Sequence, residues 1–265
     1  MTGILGNWAS ESLDELIASF AAATPYPHVT IPEFLENKLA ETLLHEFPSA
    51  DGKCWFAYSN PIEDKLACND TSRLPPIFRT VFAYLNSPEV VDLIRKIAGI
   101  PDLEADPTLH GGGLHLHKRG GKLDLHLDYS LHPLTGMERR INLIVYMCRD
   151  WREEYGGALE LWSGDEAGPR ECCKKVLPGF NKAVIFQTSD ISYHGLPDPI
   201  QCPDGMARMS LATYYVSPPR EGVTHRSKAR FVARPTDAPS EYLDRLRAIR
   251  PHRRLEAADL EIKEG

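Results

Sequence analysis

The chain predicts an α+β protein with a mainly β core. Three observations carry this reading. Amphipathic helical patterns are confined to the first hundred residues, short strands divided by Gly and Pro follow Pro101, and no long amphipathic helix separates successive strands. A parallel βαβ sheet needs such a helix at every crossover. The strands are therefore expected to pair antiparallel, as a sandwich or barrel with the N-terminal helices packed on one sheet.

The elements follow in order. Residues 10–22 carry Leu13, Ile17 and Phe20 at helical spacing behind Ser10 or Ser12 as N-cap. Residues 32–47 repeat the pattern behind Pro32, with Leu39, Leu43 and Leu44 on one stripe. Residues 75–97 give one or two more helices, interrupted near Ser87-Pro88 because a residue before proline avoids helical backbone. Residues 51–73 are polar and read as loop. Strands are expected at 113–118, 123–128, 140–148, 158–162, 182–187 and 207–216, with a short helix at 240–250. No internal repeat, low-complexity tract or clean linker divides the 265 residues. One domain, 1–265, is expected: helical support to residue 100, a β core over 101–220 and a C-terminal extension over 221–265.

Composition narrows the function class. A net charge of −7 argues against a nucleic-acid partner, and the basic tail (Arg245, Arg247, Arg250, Arg253, Arg254) is interrupted by acids, as on a solvated helix. No apolar run approaches the roughly 20 residues of a membrane span. Residues 1–7 hold no basic segment leading into a hydrophobic stretch, so no secretion signal is expected. The six cysteines show no Cys-x-x-Cys pair and no regular framework, which fits thiols in a reducing, cytoplasmic setting.

Chemistry concentrates in "LDLHLDYS", residues 123–130. Leucines at 123, 125 and 127 alternate with Asp124, His126 and Asp128, the period of a strand, so one face carries three groups that are costly to bury without partners. His126 and Asp128, two apart, reach the same side and can share one metal ion. An imidazole and a carboxylate are two legs of the 2-His-1-carboxylate triad that holds non-haem Fe(II). A distant histidine should supply the third. "ISYHGLPDPI" offers His194, expected in a loop just past the apolar strand "KAVIFQ".

In "ARMSLATYYV", Arg208, Ser210, Ala212 and Tyr214 share one strand face. An arginine buried in a barrel needs an anionic partner, and a guanidinium fork beside a hydroxyl suits a small-molecule carboxylate. An internal Arg–carboxylate pair is the competing expectation. On "RRINLIVYM", residues 140, 142, 144 and 146 share a face, which groups Asn142 with Tyr146 on a mostly polar side. His115 and His117 in "HGGGLHLHKRGG" share a face too, as in cupin-type metal pairs. No glutamate follows over 118–124, so pocket lining is expected of them. A non-catalytic, cupin-like metal- or ligand-binding protein is the alternative from a different class.

His126-x-Asp128, a distal His194, and Arg208-x-Ser210 fourteen residues on resemble the 2-oxoglutarate- and Fe(II)-dependent oxygenases, most closely the prolyl-4-hydroxylase-like branch. Gly120 six before His126, "RRINLIVYMCRDW" and "YGGALELW" follow that branch's order of elements, over roughly 109–216. The resemblance implies a double-stranded β-helix, or jelly roll, that hydroxylates an unactivated C–H bond while decarboxylating 2-oxoglutarate to succinate and CO2. Fe(II) would be held by His126, Asp128 and His194. Arg208, with Ser210 and Tyr146 beside it, would hold the distal carboxylate of 2-oxoglutarate, and Asn142 and His117 would border the co-substrate. O2 is the second co-substrate, and ascorbate is admitted as a reductant. The chain departs from the pattern twice: His117 stands where many relatives have tyrosine, and Met147-Cys148 replaces Leu-Asn. With Asp128 present, hydroxylation is expected rather than the halogenation of relatives that carry a small residue there. A small molecule, an amino acid or a peptidyl residue all fit as substrate, and no nucleic-acid or membrane partner is expected.

Overall fold

A computed structural model describes residues 4–261. Residues 1–3, part of the leader reading, and the last four of the C-terminal extension lie outside the described residues. The chain runs α1 (Trp8–Glu11), α2 (Leu13–Ala22), β1 (His28–Ile31), α3 (Asn37–His45), β2 (Phe56–Asn60), β3 (Glu63–Cys68), α4 (Pro76–Leu85) and α5 (Pro88–Ala98). Then come β4 (Glu104–Ala105), β5 (Gly113–His117), β6 (Lys122–Leu127), β7 (Glu138–Met147), β8 (Leu159–Asp165), β9 (Gly168–Val176), β10 (Phe180–Gln187), β11 (Tyr193–Leu196) and β12 (Arg208–Ser217). The extension holds β13 (Arg230–Phe231), α6 (Glu241–Ile249) and α7 (Ala257–Leu260). No helix among the described residues is long and apolar enough to cross a membrane.

All pairings are antiparallel, in the order β1-β10-β7-β12-β5-β3-β6-β11-β8-β9, with β2 on β3, β4 on β12 and β13 on β6. β7 and β6 stand four places apart, about 19 Å on a flat sheet at ~4.8 Å per strand. Yet Asn142 on β7 donates to Asp128, just past β6, at 2.9 Å. The sheet must therefore curl until its inner faces meet, which is the predicted jelly roll.

The outer face of this roll is apolar. Ile141, Leu143 and Val145 of β7 and Leu211 and Tyr215 of β12 join one buried cluster with Phe20, Leu43, Phe78, Phe82, Ile94 and Ile97 from the helices. That cluster fixes the direction of the other parity: Asn142, Ile144, Tyr146, Arg208 and Ser210 point inward. α5 shows why a helix forms where it does. Ser87 caps it through the Val90 N–H, Pro88 opens it, Val90, Ile94 and Ile97 bury its inner stripe, and Gly99 at φ +65° ends it.

The N-terminal expectations needed correction. The helix expected at 10–22 is two helices; Ser12 holds the N-cap position of α2 without a side-chain bond, and Ser10 lies inside α1. The helix expected from Pro32 starts at Asn37, because the Glu36 carboxylate accepts from the Lys38 and Leu39 N–H groups while Leu35 bridges to Leu5. The largest error lies within 51–73: its ends are loop, but its middle, 56–68, is not. It forms the β2–β3 hairpin, and β3 inserts between β5 and β6. Its face alternation was hidden because β2 is half-exposed and the inward side of β3 is polar (Glu63, Lys65). β1 and β9 were also unforeseen, β9 because it lies exposed at the sheet's edge.

Candidate active site

The inner faces enclose a cavity of about 270 Å3 that contains His126, Asp128, His194, Arg208, Ser210, Asn142 and His117 in its walls. His126 lies on β6, and Asp128 follows the strand by one residue. His194 is not in a loop as expected: it lies on β11, directly paired with His126 across the β6–β11 ladder. The four-residue strand is too short to stand out from its Gly- and Pro-rich surroundings.

One ligand atom from each of His126, Asp128 and His194 lies within 4.8 Å of the others. The tautomers suit a metal. His126 Nδ1 donates to the Asp124 carbonyl at 2.9 Å, and His194 Nδ1 donates to the Ser192 carbonyl at 2.8 Å. A carbonyl can only accept, so Nδ1 carries a proton in both rings, and Nε2 is the nitrogen each ring can offer to a metal. Those Nε2 atoms lie 3.7 Å and 3.3 Å from the Asp128 carboxylate. Burial, then the neighbouring His194, lowers the His126 pKa, so this ring is neutral as a ligand must be.

Asp128 is held in turn. Arg139 Nη2 lies 2.9 Å from Asp128 Oδ2, Asn142 Nδ2 donates to the same oxygen, and Arg139 Nε donates to Asn142 Oδ1 at 2.7 Å. The guanidinium also lies over the Tyr214 ring, 3.3 Å from its centroid. Burial opposes ionisation of Asp128, but Arg139 outweighs it and keeps the carboxyl well below its usual range. Sequence parity missed Arg139, assigning the inward direction to Arg140. A bulge between the Tyr215–Ile141 and Val216–Arg139 pairs makes Arg140 the extra residue and turns Arg139 inward. Asn142 thus bears on Asp128 rather than on the group at Arg208.

The second half of the cavity is built around Arg208. Its Nε donates to the Gly157 carbonyl at 2.8 Å and Nη2 to the Tyr146 hydroxyl at 3.3 Å. A guanidinium has five N–H donors, so three remain. Among the described residues no carboxylate lies within 4 Å of Arg208, although it is 3% exposed. The competing internal ion pair is therefore not formed. Gly157 is required here: its φ is +70°, and a Cβ would press on Ile200 and the Arg208 Cδ. Burial raises the Tyr146 pKa, so its hydroxyl keeps the proton and can donate onward. Opposite Arg208 on the β5–β12 ladder stands His117, buried, with neither ring nitrogen partnered. Burial, then Arg208, drives its pKa well below the ordinary value. Orphaned nitrogens facing an unpaired guanidinium mark a place for a polar, anionic ligand. His115 lines the same wall, as pocket lining was expected to. Among the described residues, clustering of groups able to hold a metal is confined to His126, Asp128 and His194.

The jelly roll thus brings together a two-histidine, one-carboxylate cluster able to hold a metal ion and a buried arginine without a carboxylate partner. Residues 112–216 match the family model of the 2OG-Fe(II) oxygenase superfamily. Mouse prolyl 3-hydroxylase OGFOD1 is 31% identical over 81 residues, 30% of this chain and 14% of that protein. The Xenopus laevis protein of the same name is 29% identical over 92 residues, 33% of this chain and 18% of its own length. The chain thus matches less than a fifth of these relatives. Among solved structures, a Pseudomonas putida prolyl-4-hydroxylase aligns with TM-score 0.54 at 18% identity, covering 76% of this chain and 98% of that one. A Trichoplax adhaerens prolyl hydroxylase, in complex with a hypoxia inducible factor peptide fragment, aligns with TM-score 0.56 at 16% identity, covering 80% and 94%. These two likenesses are of fold.

Proposed function

We propose that the protein is an Fe(II)- and 2-oxoglutarate-dependent dioxygenase that hydroxylates an unactivated C–H bond of a small-molecule, amino-acid or peptidyl substrate. The observation that carries this is Arg208, a buried guanidinium with spare donors in the same cavity as two imidazoles that can each offer Nε2 to a metal. His126, Asp128 and His194 would hold Fe(II). Arg208, Tyr146 and Ser210 would take the distal carboxylate of 2-oxoglutarate, with His117 beside it. Bound iron and 2-oxoglutarate would supply the oxidising chemistry, in which 2-oxoglutarate, O2 and a substrate C–H give succinate, CO2 and the hydroxylated substrate.

The protein's own residues orient and exclude. Arg139 and Asn142 keep Asp128 ionised and fixed, and the backbone carbonyls at 124 and 192 set the imidazole tautomers. The mouse relative's name favours a prolyl residue among peptidyl candidates. All six cysteines are free thiols, which supports a cytoplasmic setting. Purified protein with Fe(II), 2-oxoglutarate and ascorbate should release succinate, even if slowly without its prime substrate. Absence of any 2-oxoglutarate consumption across a substrate panel, with iron bound, would refute the proposal.

A further inference from the structure

The cavity is cationic, although the chain carries a net charge of −7. Lys65, Arg139, Arg208, Lys228, Arg250 and Arg254 line it, against the carboxylates Glu63 and Asp128 alone. Both carboxylates are engaged: Asp128 by Arg139 at 2.9 Å, and Glu63 by Arg250 at 2.5 Å. With Arg208 assigned to the co-substrate, Lys65, Lys228 and Arg254 remain. Lys65 sits on the inward face of β3 with its side chain 15% exposed, and the nearest carboxylate oxygen, on Glu63, is 3.9 Å away. Burial lowers its pKa, a cost that an anion in the cavity would relieve. Lys228 reaches the His252 carbonyl at 3.3 Å, and Arg254 lies over the Phe56 ring at 4.0 Å.

A second observation is independent of charge. The Tyr129 hydroxyl lines the same cavity, is buried, and has no hydrogen-bond partner among the described residues. A buried hydroxyl without a partner costs about 1–3 kcal/mol, so its position argues for a ligand that supplies one. Lys65 stands on β3, two strands from Arg208 on β12 with β5 between them, and Tyr129 follows Asp128. They come from the β2–β3 hairpin and the segment after Asp128. The extension closes over them, pinned by Arg250 to Glu63 and by Arg247 to Asp124 at 2.9 Å.

We propose that the prime substrate is a small anion, whose carboxylate or phosphate is bound by the Lys65 ammonium with the Tyr129 hydroxyl as a further donor and Lys228 at the rim. This rests on the dioxygenase reading, since the Arg208 half is taken to hold 2-oxoglutarate. A cavity of about 270 Å3 that must also house 2-oxoglutarate leaves room for a molecule of amino-acid size.

The test uses full-length protein loaded with Zn(II) in place of iron and with 2-oxoglutarate, observed by ligand-detected nuclear magnetic resonance. Propionate, its neutral counterpart propionamide, and inorganic phosphate are the probes; the first and third separate a carboxylate from a phosphate preference. The expected result is that at least one anion binds at least tenfold more tightly than propionamide while the 2-oxoglutarate signals stay in the bound state. Lys65→Met should weaken that binding at least tenfold, and Lys228→Gln, a rim change that spares the barrel, a few-fold, both with 2-oxoglutarate retained. Anion binding equal to that of the amide, unchanged in both variants, or gained only by displacing 2-oxoglutarate would overturn the inference alone. Failure of wild-type protein to bind 2-oxoglutarate would instead overturn the dioxygenase reading, and this one with it.

Discussion

Arg139→Met should destabilise the metal-free protein far more than the metal-loaded one. The substitution removes the 2.9 Å pair to Asp128 Oδ2 and the 2.7 Å bond to Asn142 Oδ1. Methionine fills much of the space over Tyr214, so the loss is mainly electrostatic. Breaking a buried pair from one side strands the other charge and costs about 3–5 kcal/mol. For a chain of this size that lowers Tm by about 6–20 °C. With a divalent cation bound, Asp128 regains a counter-charge, and Asn142 still holds its orientation at 2.9 Å. The Tm difference between wild type and variant should then shrink to less than half. Thermal scans of both proteins, with chelator and with Zn(II), decide it. A metal-free drop under about 2 °C, or equal drops with and without metal, would refute the assignment of Arg139 as the charge partner of Asp128.

Further outcomes follow from other residues. His126→Ala and His194→Ala should each abolish succinate release and weaken Zn(II) binding in equilibrium dialysis, and full activity in either would remove that residue from the ligand set. His115, its pKa pushed down to about 3 by burial and then Lys65, stays neutral in the folded protein but takes a proton when unfolded below pH ~6.5. Its stabilising contribution is therefore complete above pH ~6.5 and declines by about 1.4 kcal/mol per pH unit on acidification toward pH 3. Urea titrations of metal-free His115→Gln should show a correspondingly flatter acid slope, and an unchanged slope would contradict this. Arg250→Ala should free the extension from Glu63, so amides of α6 exchange at least tenfold faster while those of β7 do not.

The cluster of His126, Asp128 and His194 was legible in the sequence because each carries its own local signal: two-residue spacing on a strand for His126 and Asp128, and a distinctive flank for His194. Arg208 and Tyr146 were legible through strand parity, since the opposite parity is continuously apolar. Parity fails where the ladder slips. One bulge at Arg140 exchanged the roles of two adjacent arginines, and a run of residues cannot announce a bulge that the partner strand imposes. The β2–β3 hairpin was illegible for a different reason. Its inward residues face a polar cavity, so Glu63 and Lys65 erase the alternation that a core-facing strand would show. The extension's part in covering the cavity depends on Arg250 meeting Glu63, 187 residues away, a contact that only the fold makes visible.

The claim on which the account turns is that Arg208 is unpaired because its partner is a co-substrate. Anaerobic titration of 2-oxoglutarate into the Fe(II) protein, wild type, Arg208→Lys and Arg208→Ala, tests it directly. Loss of a charge-assisted bidentate contact is worth roughly 1.5–3 kcal/mol, so Kd should rise about ten- to more than a hundredfold in Arg208→Ala. Arg208→Lys, which keeps the charge but not the fork, should fall between, and iron affinity should hardly move in either. Unchanged 2-oxoglutarate affinity in folded Arg208→Ala protein would contradict the account.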